Sequence, residues 1–150
     1  CEAFSCGQGL SPRMLLDAFK GQLRAAGVQA PKDIPLRTAV KQWGNVAGLV
    51  AGLALGDVHL VGRAMCDVVV EPYRKQFIPG FDELREKVLA AGSLAMNISG
   101  AGPSVFTLSS DMDVAERVGE IMREHFAQMQ IGSDVYVCKV SNRGARVLND

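Results

Sequence analysis

The sequence predicts a two-layer α+β domain, with helices laid over one face of an antiparallel sheet. Three observations carry that expectation. Apolar residues at helical spacing dominate the earlier part of the chain. Two short apolar runs, Leu94 to Ile98 and Val105 to Leu108, are joined by a connector too short for a parallel crossover. The order of helices, then strand, loop, strand, helix and strand, leaves the helices to cover the sheet. At 150 residues and 16.0 kDa the chain has the size of one domain.

Taken in order, Ser11-Pro12 opens a first helical pattern of Met14, Leu15, Ala18, Phe19, Leu23 and Ala26, which Gly27 can end. Asp33-Ile34-Pro35 then reads as a cap region with Pro35 in the first turn. Leu36, Val40, Trp43, Ala47, Val50 and Ala54 mark one apolar stripe of a helix that runs to about Leu55. Gly44, Gly48 and Gly52 recur every fourth residue and share a face, which calls for another backbone packed closely there. A further helix begins at Asp57, with Val58, Val61, Met65, Val68 and Val69 inward and His59, Arg63 and Asp67 on a solvated side; Glu71-Pro72 is expected to stop it. After the connector from Tyr73 to Gly80, Phe81, Leu84, Val88 and Leu89 form a helix closed by Gly92. Beyond the two strands, Ser110 or Asp111 caps a helix with Val114, Val118, Ile121, Met122 and Phe126 inward. Val135 to Val140 alternates as a strand, and Asn142-Arg143-Gly144 turns into a short terminal strand, Ala145 to Leu148.

Lys plus Arg and Asp plus Glu each number 16, so the formal net charge is zero. That balance argues against nucleic acid as a partner and against a polybasic membrane anchor. The 48% hydrophobic and 21% charged content is that of a globular protein. Cys1, Cys6, Cys66 and Cys138 show no C-x-x-C spacing, and His59 and His125 stand far from Cys1 and Cys6, so no metal site is expected. The longest uncharged apolar run, Gly44 to Gly56, falls short of the roughly 20 residues of a membrane span. With no signal-peptide pattern, the expectation is a cytoplasmic chain with reduced thiols. Because it begins with Cys1 rather than Met, the sequence is expected to be a piece of something longer.

The connector between the strands, Ser99-Gly100-Ala101-Gly102-Pro103-Ser104, carries the chemistry. Its two glycines admit positive φ and let a ligand approach bare amides, and such runs of N–H groups bind anions. Ser99 and Ser104 add hydroxyls. It is neither a Rossmann fingerprint nor a Walker A loop, since no third glycine stands in register and no Gly-Lys-Ser/Thr occurs. On pattern alone, a plain turn between two strands and an anion site both remain open.

Asn97-Ile98-Ser99-Gly100-Ala101-Gly102-Pro103-Ser104-Val105-Phe106 resembles the third conserved motif of the GHMP kinases. Asp67 to Arg74, followed by Ile78-Pro79-Gly80-Phe81, resembles the homoserine kinases among them, as does Pro35 to Asp57 with Trp43-Gly44-Asn45. The resemblance covers the chain from about Lys32 to its end and assigns 32–150 to the C-terminal, substrate-side domain; residues 1–31 have no match. It implies a ferredoxin-like sheet and ATP-dependent phosphorylation of the L-homoserine side-chain hydroxyl, in threonine biosynthesis. L-homoserine and ATP are then the small-molecule partners, with Mg2+ as cofactor, and a homodimer is one implied assembly. Arg74, Ser99 and Gly100 are implied to bind substrate, with Arg74 gripping the homoserine carboxylate. Gly100, Ala101, Gly102, Pro103 and Ser104 would support the phosphates. No general base is visible in this chain; phosphoryl transfer needs mostly positioning and charge neutralisation.

The family's nucleotide loop, Pro-x-x-x-Gly-Leu-Gly-Ser-Ser, is absent here, as is the lobe expected to hold ATP and Mg2+. The family's second carboxylate-binding arginine has no counterpart at matching distance, since Arg24 stands wrongly placed from Pro31. The chain alone is therefore expected to bind ATP weakly or not at all and to be inactive. The alternatives are a non-catalytic, ACT-like amino-acid-binding module and a bare interaction domain.

Overall fold

The computed structural model describes residues 32–141. Helix α1 spans Leu36–Leu55 and α2 spans Val58–Ala64. Asp57 caps α2 by accepting the Leu60 amide at 2.9 Å. The two helices meet through two of the aligned glycines. A Cβ at Gly52 would stand 2.9 Å from both Cγ2 and the amide nitrogen of Val61, and one at Gly48 would stand 3.3 Å from the Ala64 Cβ. Close helix packing is what the spacing called for, although Gly44 faces open space. The glycine edge being the packed one, the apolar stripe of α1 is left exposed: Leu36 by 71%, Trp43 by 62% and Val50 by 61%.

The second helix is shorter than its pattern predicts. It stops at Ala64, and Glu71-Pro72 opens a helix instead of ending one: α3, Glu71–Arg74. Pro72 fits there because the first-turn amide has no partner to lose. The cause lies in the intervening stretch, where polar groups draw the backbone out of the helix. Asp67 Oδ1 accepts the amides of Val69 and Val70, each at 2.8 Å. From α1, Asn45 Nδ2 donates to the Cys66 carbonyl at 2.7 Å and Gln42 Oε1 accepts the Val68 amide at 3.0 Å. Val68 and Val69 are thus half-buried in an irregular segment, and Asp67 belongs to a turn rather than to a solvated helix face. His59 and Arg63 are exposed, as expected.

A 3-10 turn, Lys75–Phe77, leads to α4, Phe81–Ala90. Strands β1 (Ala95–Ile98) and β2 (Val105–Leu108) pair antiparallel, with Ala95 opposite Leu108 and Ile98 opposite Val105. Asp111 caps α5, Met112–Gln128, by accepting the Val114 amide at 2.9 Å. The core joins Ile78, Phe81, Leu84, Val88, Met96, Val118 and Met122, with Ile98, Val105, Ile121 and Phe126 packed against it. Leu89, expected inward, is exposed, because the Leu84–Val88 edge faces the core.

Behind that core, His125 is buried, and its Nε2 meets the Gly80 carbonyl at 3.1 Å. Gly80 has φ of +67°, and a methyl there would overlap the imidazole. This contact fixes the turn between the 3-10 segment and α4.

Among the described residues the run from Val135 to Val140 pairs with no strand. Alternation favours a strand only where a neighbour supplies a ladder, and here Val135 and Val137 lie against Gly119 of α5. The expected helix after Ser11 and the terminal strand from Ala145 lie outside the described residues. No helix among the described residues is long and apolar enough to cross a membrane.

Candidate functional site

Strand β1 delivers the chain into Ser99–Ser104, and β2 carries it away. The Ser99 amide donates to the Ser104 carbonyl at 2.8 Å, and the Gly102 amide to the Ser99 carbonyl at 3.0 Å. Gly100 and Gly102 take φ of +59° and +79°, which side chains resist, and the Gly102–Pro103 peptide is cis. These bonds close the loop on itself. The amides of Gly100 and Ala101 find no acceptor among the described residues. Adjacent in the chain, on an exposed Gly100 and a half-buried Ala101, they offer the donor pair that anions seek.

Arg74 ends α3 and reaches the same loop, its Nη1 donating to the Gly100 carbonyl at 2.5 Å. One donor of the guanidinium is thereby committed to the loop, and a guanidinium has five. Asp67, Glu71, Arg74, Asn97, Ile98 and Gly100 line a small cleft of about 30 Å³ between them. Asn97, oriented by its hydrogen-bond partners, donates its amide to the carbonyls of Met96 at 2.9 Å and Met65 at 3.1 Å.

The charges in this cleft are unequal in freedom. Glu71 is 8% exposed, and both its oxygens are taken by Arg85, Oε1 by Nη1 at 2.7 Å and Oε2 by Nη2. The Glu71 carboxylate holds the Arg85 guanidinium above its already high range, against the opposing pull of burial. Asp67 is engaged with two backbone amides. Arg74 has no carboxylate partner among the described residues. The cleft therefore presents a positive group beside two open amides, a pairing suited to a carboxylate or a phosphate.

Of the residues singled out from sequence, Ser99, Gly100, Ala101, Gly102, Pro103 and Ser104 form the loop, and Arg74 joins it from 26 positions upstream. Ser99 is half-buried, whereas Pro103 and Ser104 are exposed on the outer limb. Glu71, Arg85 and Asn97 were missed as members of the site. A Glu–Arg pair 14 residues apart follows no helical or strand period, so nothing local announces it. A larger depression of about 450 Å³ lies along α5, lined by Asp113, Glu116, Arg117, Glu120, Arg123 and others, and shares no residue with the cleft at the loop.

Residues 49–128 match the family model of the GHMP kinases C terminal, and the chain belongs to that family. It is 47% identical over 121 residues to a homoserine kinase of Chlorobaculum tepidum, a match covering 79% of this chain and 37% of that protein. A homoserine kinase of Pyrococcus abyssi is 35% identical over 116 residues, covering 77% and 38% respectively. The crystal structure of homoserine kinase from Cytophaga hutchinsonii superposes with a TM-score of 0.73 at 43% identity, covering 89% of this chain and 39% of that one. The chain thus spans less than two fifths of the length of these relatives. The α+β fold and the resemblance expected from sequence both hold, and the comparisons give no support to the ACT-like alternative.

Proposed function

We propose that this chain is the substrate-side domain of a homoserine kinase, and that Arg74 with the Ser99–Ser104 loop forms its share of the active site. The observation that carries the reading is the hydrogen bond from Arg74 to Gly100, beside two amides with no acceptor. Kinship to homoserine kinases supports the choice of substrate. In this reading Arg74 grips the homoserine carboxylate through a forked pair of hydrogen bonds, and Ser99 and Gly100 line its seat. The amides of Gly100 and Ala101 face the phosphate side, and Gly102, Pro103 and Ser104 hold them in place.

ATP, as co-substrate, supplies the γ-phosphoryl group to the homoserine hydroxyl, which loses its proton as ADP departs. This chain's part is to fix the acceptor and to place dipoles where charge develops. The described residues include no group of three His, Cys, Asp or Glu side chains able to hold a metal ion. No step is therefore assigned to Mg2+ on this chain.

The test is an amide-shift titration of the 150-residue chain with L-homoserine. Shifts are expected at Arg74 and Gly100–Gly102, and Arg74→Met should abolish them. Shifts elsewhere with none at the loop, or full binding by Arg74→Met, would overturn the reading.

A further inference from the structure

Helix α3 is only four residues long and has no side-chain cap on its first turn. So short a helix has no stability of its own, since nucleation outweighs the bonds it gains. Yet it must hold Arg74 steadily over the loop. Its backbone ties are the Tyr73 and Arg74 amides donating to the Val70 carbonyl, at 3.0 and 3.2 Å. Both ties are internal to the turn. They shape it without fixing where it lies.

Its tie to the core is a single guanidinium. Arg85 projects from α4 and holds Glu71, the first residue of α3, by both carboxylate oxygens. The same Nη2 donates to the Met96 carbonyl of β1 at 2.8 Å, three residues before the glycine loop begins. Its guanidinium carbon lies 4.7 Å from the centre of the Phe81 ring, so stacking on a core aromatic fixes its plane. Phe81 is 3% exposed. The core thus anchors Arg85, and Arg85 anchors both the start of Arg74's helix and the strand that feeds the loop.

We propose that Arg85 and Glu71 are positioning residues for substrate binding, joining the arginine-bearing turn and the glycine loop into one rigid unit. The inference rests on the acid-gripping role of Arg74 and adds to it. Arg85 does not line the cleft, so it acts through Glu71 and the backbone rather than by touching a ligand. The pair has a second consequence. Glu71 does line the cleft, and an unpaired carboxylate there would repel an anionic guest from Arg74. With both oxygens bound to Arg85, that repulsion is neutralised.

The test uses the 150-residue chain. Removing one partner strands a buried charge and is apt to unfold the region, so the double variant Glu71→Leu with Arg85→Met is made alongside Glu71→Gln. Two readouts are followed. The first, taken without ligand, is the side-chain nitrogen resonance of Arg74, slowed in rotation when Nη1 is held by Gly100. The second is homoserine affinity from the shifts at Gly100–Gly102. In a double variant whose core amides keep their positions, the Arg74 signal should average to that of a free arginine, and affinity should fall by about tenfold or more. An unchanged Arg74 signal and unchanged affinity in that folded variant would sink the proposal. Arg74→Met separates the two levels. If it abolishes binding while the double variant binds normally, the positioning idea alone fails; if it binds normally, both readings fall.

Discussion

Arg74 and Arg85 carry the same charge, but their surroundings give them different work. Arg85 has its carboxylate, its carbonyl and its ring; Arg74 has one carbonyl and, among the described residues, no carboxylate. On the function proposed above, Arg74 is the recognition group. At the surface, two glutamates show the ordinary version of such pairing. Lys87, one turn along α4, holds the Glu83 carboxyl below the usual carboxylate range by a hydrogen bond and its charge. Arg123 does the same to Glu120 on α5. A carboxyl lowered on folding stabilises the native state above its unfolded pKa, and that contribution is lost as pH falls through the folded value. A carboxyl-carbon NMR titration should find Glu83 and Glu120 ionising below the usual range. Lys87→Met should return Glu83, and Arg123→Met should return Glu120, to ordinary values. Both groups are fully exposed, so neither variant should shift the melting temperature appreciably.

Among the elements, the α1–α2 pair offers a controlled comparison, because glycines on one helix face meet different surroundings. Gly52→Ala would push a methyl into the Val61 side chain and backbone, and should destabilise the chain by about 1–3 kcal/mol. Gly44→Ala meets nothing and should stabilise by about 0.5–1 kcal/mol through better helix propensity. Urea unfolding followed by circular dichroism distinguishes them by sign, and equal effects would contradict the packing described. The same elements show what a sequence discloses. The helix start at Asp57, the cap at Ser110 or Asp111 and the glycine loop were legible because their cause lies within a few residues. The end of α2 was misread because Gln42 and Asn45, more than twenty positions away, help draw residues 66–68 out of the helix. Val135 to Val140 has a strand's alternation, but a strand exists only with a neighbour. The stripe on α1 was correctly located, yet a pattern says where apolar residues stand and not what lies over them.

At the scale of the molecule, the site is half of something. The cleft at the loop measures about 30 Å³, room for water rather than for an amino acid, so a substrate held by the loop and Arg74 lies over it with its far side open. The exposed face of α1, with Trp43 and Val50, likewise has no cover among the described residues. The relatives run to more than twice this length, and the nucleotide loop of the family occurs nowhere in the sequence. Transfer of a phosphoryl group depends on charge spread over three oxygens being met from several sides at once. On the proposed reading two amides meet it from one side, and Arg74 is committed to the acceptor's carboxylate. A coupled assay of ADP release from the 150-residue chain, with ATP, Mg2+ and L-homoserine in excess, should therefore show no homoserine-dependent rate above a protein-free blank. The same sample should still give homoserine shifts at Gly100–Gly102. A homoserine-dependent rate that Arg74→Met removes would mean that this domain holds its nucleotide unaided, and the division of labour drawn here between anchor and donor would be wrong.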